Sequence, residues 1–174
     1  MLSSLFPNLY VKSIYDLPLN ELKSNGIKAL VFDIDNTVAP YDIAEPDERL
    51  MDYFRKLISL NYEIIILSNN NKKRVELFNK KLGVTAIYKA GKPGVKKLLD
   101  VLRIKRILPK EAALIGDQIF TDVLCGNRAG VVSILTAPIC DRDQFVTKIK
   151  RGIEKQVLKI YFKKVGIKWN VLNM

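Results

Sequence analysis

Histidine is missing altogether from this 174-residue chain. Its absence excludes Ser-His and Cys-His nucleophilic pairs and His-ligated zinc. Any catalysis must therefore rest on carboxylates, Lys, Ser/Thr, Tyr or Cys. Cysteine is nearly as scarce: Cys125 and Cys140 stand apart, without metal-ligand spacing. That usage fits a reduced cytosolic protein, with both thiols in packing roles. The longest apolar runs, such as Ile64 to Leu67 and Val131 to Leu135, are far shorter than the roughly 20 residues that span a bilayer. Met1 to Lys12 lacks a basic stretch followed by an apolar core and a cleavage site, so no signal peptide is expected. Internal repeats, Gly/Ser linkers and low-complexity tracts are absent too. The expected location is cytoplasmic, or peripheral at the inner face of the membrane.

Positive charge is what the chain has in excess, with 29 Lys/Arg against 18 Asp/Glu and a net charge of +11. The excess points to an anionic partner: phosphate esters, nucleic acid or an anionic membrane surface. Charge does not choose among them. Apolar residues make up 48% of the sequence, enough for one folded domain with a proper core.

From residue 28 onward, strand-like and helix-like segments alternate. Ala29 to Ile34 is a nearly continuous apolar run, the signature of a strand buried on both faces. Tyr62 to Leu67, Val84 to Tyr88, Ala112 to Ile115 and Val131 to Leu135 repeat it. Pro46 can open a helix whose face carries Leu50, Tyr53, Phe54 and Leu57. A second helix carries Val75, Phe78 and Leu82 and stops at Gly83. In a third, Pro93 precedes Val95, Leu98, Leu99 and Leu102, and residues 119–129 form a fourth. The alternation predicts an α/β fold with a parallel sheet and right-handed crossovers. Residues 1–27 are weakly patterned and are expected to form an extra helix on the sheet.

Such a sheet carries its site at the carboxyl ends of its strands. Strand one ends in Asp33-Ile34-Asp35-Asn36-Thr37, and the second runs into Ser68-Asn69-Asn70. Gly91-Lys92-Pro93 follows the third, and Gly116-Asp117-Gln118 ends the fourth, with Asp122 five residues beyond Asp117. These residues would converge into a site for phosphate and a hard cation. A carboxylate such as Asp33 can attack phosphorus and form an aspartyl-phosphate. Asp35, two residues on, can protonate the leaving alcohol and later deprotonate water. Two carboxylates beside one phosphate repel it, so Mg2+ is expected, with Asp33, Asp117 and a main-chain carbonyl near Asp35 as candidate ligands. Asp122 would orient Lys92 or metal-bound water, or touch the metal itself. Lys92 and Ser68 would hold phosphoryl oxygens, and Thr37 and Asn69 are further candidate substrate contacts.

These residues, in this order, resemble the four successive motifs of the haloacid dehalogenase (HAD) superfamily over residues 29–122. The resemblance implies a Rossmann-like sheet of order 5-4-1-2-3, an aspartyl-phosphate mechanism and Mg2+. Asp at position 35 implies phosphatases and phosphotransferases. The Gly116-Asp117-Gln118 to Asp122 form, the overall length and the basic tail are similar to the YqeG-type, subfamily IIIA phosphatases. Those in turn resemble mitochondrial phosphatidylglycerophosphate phosphatases. Asn36 stands where many relatives have Gly.

Spacing bears on substrate size. Between Thr37 and the second strand lie 24 residues, mostly used by a helix, and residues between Ser68 and Lys92 suffice only for a helix and a strand. No lid, or cap domain, fits at either place. An open rim suits a phosphate on a lipid headgroup or polymer. The expected organisation is a phosphatase core over residues 1–141 and a basic helical tail over 142–174. From residue 141 to the end there are nine Lys/Arg against three Asp/Glu. Phe145, Ile149, Ile153, Val157, Ile160 and Tyr161 recur at helical spacing, with Lys148, Lys150, Arg151, Lys155, Lys159, Lys163 and Lys164 in other directions. Such a helix can lie on anionic lipid or dock its apolar face on the domain. Two rival functions stand beside the phosphatase on lipid: one acting on nucleic-acid ends, with Tyr161, Phe162 and Trp169 beside basic residues, and a non-catalytic phospho-acceptor.

Overall fold

Every apolar run of the sequence becomes a strand, and one strand forms where no run announces it. A computed structural model describes residues 2–140 and 145–165 of the chain. In chain order the strands are β1 (Leu9–Val11), β2 (Ala29–Phe32), β3 (Glu63–Leu67), β4 (Thr85–Ile87), β5 (Ala112–Gly116) and β6 (Val132–Thr136). The helices are α1 (Leu19–Ser24), α2 (Glu48–Ser59), α3 (Lys72–Leu82), α4 (Lys96–Ile104), α5 (Leu124–Ala129) and α6 (Phe145–Val165). All strand pairs are parallel, and the sheet order is β1-β6-β5-β2-β3-β4. The five expected strands thus stand in the order 5-4-1-2-3, with β1 added at the edge beside β6.

Residues 1–27 depart from the expected extra helix. They supply β1, two single turns of tight helix at Leu2–Leu5 and Ile14–Asp16, and only then the six-residue α1. The physical reason is the unmet backbone of β6: without β1 its outer edge would be an unpaired row of donors and acceptors. Asn8 pairs there as well, its side chain accepting from the Ser133 amide at 2.8 Å.

Alternate residues of the central strands enter opposite cores. Leu30, Phe32, Ile64 and Ile66 pack with Phe54 of α2 and Phe78 of α3. Ala29, Val31, Ile65 and Leu67 pack with Leu98, Val101 and Leu102 of α4 and Cys125 of α5. Period-two alternation with both faces apolar gives a three-layer α/β/α sandwich. Asp47 caps α2 through its carboxylate and the Leu50 amide at 2.8 Å, so the helix starts after Pro46 rather than on it. Gly83 ends α3 in the left-handed conformation, φ 66°, as a C-terminal glycine does.

α6 also packs on the body of the protein. Val157, with half-buried Leu158, meets Ile119, Val123 and Leu135 together with Leu5, Phe6 and Tyr10. Phe162 is 1% exposed and meets the Tyr10 ring edge-on at 5.3 Å. The buried stripe is Glu154, Val157, Tyr161 and Phe162, while Ile153 and Ile160 are 56% and 51% exposed. Of the face expected from the sequence, Val157 and Tyr161 are buried and Ile153 and Ile160 are not, so the buried stripe is shifted toward Glu154 and Phe162. Aromatic burial against Phe6 and Tyr10 outweighs two isoleucines. The side chains at 145–151 and 155, Trp169, and the boundary between residues 141 and 142 lie outside the described residues. No helix among the described residues is long and apolar enough to cross a membrane.

Candidate active site

Parallel pairing brings the ends of β2, β3 and β5 to one rim, because Phe32 is in register with both Ile66 and Ile115. Asp33, Ser68 and Asp117 are the residues that leave these strands. The Asp33 amide still donates to Ile115 O at 3.0 Å, and the Ser68 amide to Ile87 O at 3.0 Å. Their side chains leave from a backbone that the sheet holds rigid. Lys92 arrives from the loop after β4, where the Ala90 amide donates back to Ser68 O at 2.9 Å.

The centre of the rim is closed off from the surface. Asp33, Asp117, Asp122, Ser68 and Lys92 are all buried. The Lys92 ammonium donates to Asp33 Oδ1 at 2.8 Å and to Asp122 Oδ1 at 2.6 Å. Asp122 accepts the Gln118 amide on its other oxygen at 3.1 Å. Its carboxyl group lies so close to the β5 end that a Cβ on Gly116 would meet Asp122 Cγ at 2.2 Å. Only glycine fits at that position, the physical content of the Gly-Asp pair at 116–117. Asp117 accepts from the Thr37 hydroxyl at 3.3 Å.

Burial raises the Asp33 carboxyl to about 8, opposed by the Lys92 ammonium and reinforced by the Asp122 and Asp117 carboxylates. Burial lowers Lys92, but Asp122 and Asp33 outweigh it and hold the ammonium charged. One cation among three acids leaves negative charge uncompensated in a low-dielectric place. Asp33, Asp117 and Asp122 each offer a carboxylate oxygen, all lying within 4.8 Å of one another. An all-oxygen set of this kind suits a hard divalent cation. Both Asp122 oxygens accept hydrogen bonds as well, from Lys92 and from the Gln118 amide. The Asp35 side chain stays outside this cluster.

Asp35 sits on the wetter, outer side. It accepts from Arg74 Nη2 at 3.1 Å on one oxygen and from Asn70 Nδ2 at 3.1 Å on the other. Arg74 was not singled out from the sequence, and Asn70 was named only as part of the segment after the second strand. Arg74 also reaches Ala44 O at 3.2 Å and lies 5.0 Å from the Phe78 ring centre, so α3 presents it in a fixed pose. Asn36 takes φ 60°, the conformation that favours Gly and that Asn tolerates. The tight loop it turns is tied to the segment after β6 by the Ile139 amide on Asn36 O, 3.0 Å, and by Cys140 Sγ on Asn36 Oδ1, 3.0 Å.

Asn69, expected as a substrate contact, turns its side-chain amide to the backbone of Lys92. Its amide oxygen accepts from the Lys92 amide at 2.8 Å, and its amide nitrogen donates to Lys92 O at 3.0 Å. That two-way clamp fixes the backbone of Lys92. The Ser68 hydroxyl accepts from the Asn70 amide at 3.1 Å. Tyr161 and Phe162, which the nucleic-acid reading would use for stacking, are buried in the core instead.

The sequence comparisons with known proteins agree on one family. Residues 2–140 match the family model described as Mitochondrial PGP phosphatase. A Bacillus subtilis (strain 168) protein named Probable phosphatase YqeG is 36% identical over 170 residues, which cover 97% of this chain and 99% of that one. A mitochondrial phosphatidylglycerophosphatase of Saccharomyces cerevisiae is 36% identical over 141 residues, 71% of this chain and 73% of its own. Among solved structures, the cobalt-bound deoxy-D-mannose-octulosonate 8-phosphate phosphatase of Haemophilus influenzae superposes with a TM-score of 0.54. At 15% identity, covering 80% of this chain and 91% of that one, it shares the fold.

Proposed function

This chain belongs to the mitochondrial PGP phosphatase family and is a HAD-type phosphatase, and from that premise we propose that it hydrolyses a lipid-linked phosphomonoester such as phosphatidylglycerophosphate through an aspartyl-phosphate on Asp33. The observation that carries the mechanism is the pair of carboxylates in unlike surroundings: Asp33 in the closed centre on Lys92, Asp35 at the wetter side on Arg74 and Asn70.

An Asp33 oxygen attacks phosphorus, the new O–P bond forms, and the bond to the leaving oxygen breaks as Asp35 delivers its proton there. Water then attacks the phosphorus of the aspartyl-phosphate. Asp35 takes the water's proton, the O–P bond to Asp33 breaks, and inorganic phosphate leaves. Lys92 and Ser68 hold the phosphoryl oxygens, and Asp122 keeps Lys92 in place from behind. Mg2+, held by Asp33, Asp117 and a carbonyl at Asp35, would supply charge neutralisation between the attacking carboxylate and the phosphate.

Two features support a lipid-linked substrate. Neither residues 38–61 nor residues 69–91 hold a cap domain; they form α2 with its loops, and α3 with β4. A substrate carried on a surface needs no enclosure. On α6, exposed Ile153 and Ile160 stand with exposed Lys159 and Lys163 on the side turned away from the core. Such a face suits peripheral contact with anionic lipid, where each Lys contributes about 1 kcal/mol. Deleting the tail would not isolate that contribution, because losing the buried Phe162 ring alone costs about 3–5 kcal/mol. The test is a double variant, Lys159→Glu with Lys163→Glu, assayed on phosphatidylglycerophosphate in anionic vesicles and on p-nitrophenyl phosphate. Hydrolysis of the lipid should fall severalfold and that of the small ester should stay unchanged. Equal rates on both substrates before and after substitution would defeat the surface reading, and failure of the parent chain to hydrolyse the lipid would defeat the substrate.

A further inference from the structure

The segment that leaves Asp117 enters its helix with help from a distant part of the chain. Gln118 stands at the cap position and offers no side-chain hydrogen bond, and the first turn, Ile119–Val123, is wound wide in π geometry before α5 begins. The first amides of a helix have no partner within it, and burying one unmet costs about 1–3 kcal/mol. Here three successive amides are met by two carboxylates, one within the turn itself and one from far along the chain. Gln118 donates to Asp122 Oδ2 at 3.1 Å. Ile119 and Phe120 donate to a single oxygen, Oε1 of Glu154, at 2.7 and 3.2 Å. Glu154 comes from α6, 35 residues further along, and is 5% exposed.

We infer that Glu154 is a positioning residue for Asp117, so that α6 forms part of the metal-binding apparatus as well as the packing. The inference rests on the proposed role of Asp117 as a metal ligand. Asp117 lies between β5, where the sheet holds it, and the turn at 118–120, whose amides Asp122 and Glu154 hold among the described residues. Fixing the second end restricts the backbone angles that aim the Asp117 carboxylate at Asp33. The choice of residue fits that task. A helix that needed only to dock would be served better by an apolar side chain here, since a buried carboxylate carries a desolvation cost that packing alone does not repay. A charged acceptor at a helix start gains from the dipole and makes bonds roughly twice as strong as neutral ones.

The experiment uses the full chain and three variants: Glu154→Ala, Glu154→Gln and Val157→Ala. Val157→Ala loosens the same helix, its packing on Ile119 included, and leaves both acceptors of the amides in place. Binding of Mg2+ to the substrate-free protein is measured by calorimetry, alongside hydrogen exchange at the Ile119 and Phe120 amides and the urea midpoint. Glu154→Ala should weaken Mg2+ binding by about 10-fold or more, as loss of a partner behind a metal ligand does, and should speed exchange at both amides. Glu154→Gln, which keeps an acceptor oxygen without the charge, should fall between Ala and the parent. Val157→Ala should lower the urea midpoint and leave Mg2+ affinity unchanged. Parental Mg2+ affinity in Glu154→Ala overturns the inference, as does a Val157→Ala loss of affinity as large as that of Glu154→Ala. Should Glu154→Ala fail to fold, parental affinity in Glu154→Gln overturns it instead. A parent chain that binds no Mg2+ defeats the metal reading of the site and this inference with it.

Discussion

The two sides of the rim use the same residue type under opposite conditions. In the closed centre, Asp33 and Asp122 share one buried ammonium, and the sheet ends beneath them cannot yield. At the outer side, the Asp35 side chain is 25% exposed and its arginine 12% exposed. Charge is costly to rearrange in the centre and cheap at the edge. A nucleophile and its supporting cation belong where geometry must not drift, and a proton shuttle belongs where water can reach it. The contrast predicts which substitutions harm chemistry, which harm folding, and which do little.

The largest effect on chemistry belongs to Asp33→Asn, which should lower kcat by on the order of 10^4-fold or more without a loss of stability. The sign of the stability change follows from the raised carboxyl. With its value raised to about 8 by burial, Asp33 keeps its proton in the metal-free fold after the unfolded chain has lost it, so stability falls progressively as pH rises from the ordinary carboxylate range through about 8. Asp33→Asn removes that penalty, so urea unfolding at pH 8 in chelator should show the variant more stable than the parent, with the difference vanishing below pH 4. A destabilised variant at pH 8 would mean that the Lys92 contact outweighs burial.

Asp122→Ala should show the reverse emphasis. Lys92 loses its shorter contact and the Gln118 amide loses its acceptor, so stability should fall by about 3–5 kcal/mol, read from the same urea midpoints. A cost below about 1 kcal/mol would show that the buried triad is looser than its distances imply.

Much of this contrast was legible in the sequence, and the reasons are specific. Strands buried on both faces read as unbroken apolar runs, so β2, β3, β5 and β6 announced themselves, and Asp33, Asp35, Ser68, Lys92 and Asp117 stand at or just beyond strand ends. β1 did not announce itself, because three residues at a sheet edge carry no periodicity. Arg74 is one basic residue among 29 and has no motif to mark it. Asn69 follows a strand, where Asn commonly starts a turn, and nothing local shows that its amide reaches Lys92. Glu154 could have been noticed as a lone acid amid a basic helix, yet its partners are main-chain amides, which a sequence does not display. The face of α6 was right at Val157 and Tyr161 and wrong at Ile153 and Ile160, because spacing alone weighs an isoleucine like a phenylalanine and packing against Phe6 and Tyr10 does not.

At the outer side the effects shrink. Asp35→Asn should reduce hydrolysis of an alkyl phosphate by about 10^2- to 10^4-fold, and phosphorylation of Asp33 by p-nitrophenyl phosphate much less, because that leaving group needs little protonation. Folding stability should change by about 0.5 kcal/mol or less. Equal losses of phosphorylation rate with both esters would remove Asp35 from the role of acid.

Those two variants together give the most direct measurement of the account. Asp35→Asn is mixed with p-nitrophenyl phosphate and Mg2+, quenched in acid within the first turnover, digested and sequenced by mass spectrometry, with the Asp33→Asn/Asp35→Asn double variant as control. The account predicts one phosphoryl group on the peptide containing Asp33, located at that residue, and none in the control. A phosphoryl group at any other side chain, or turnover with no labelled residue at all, would contradict it.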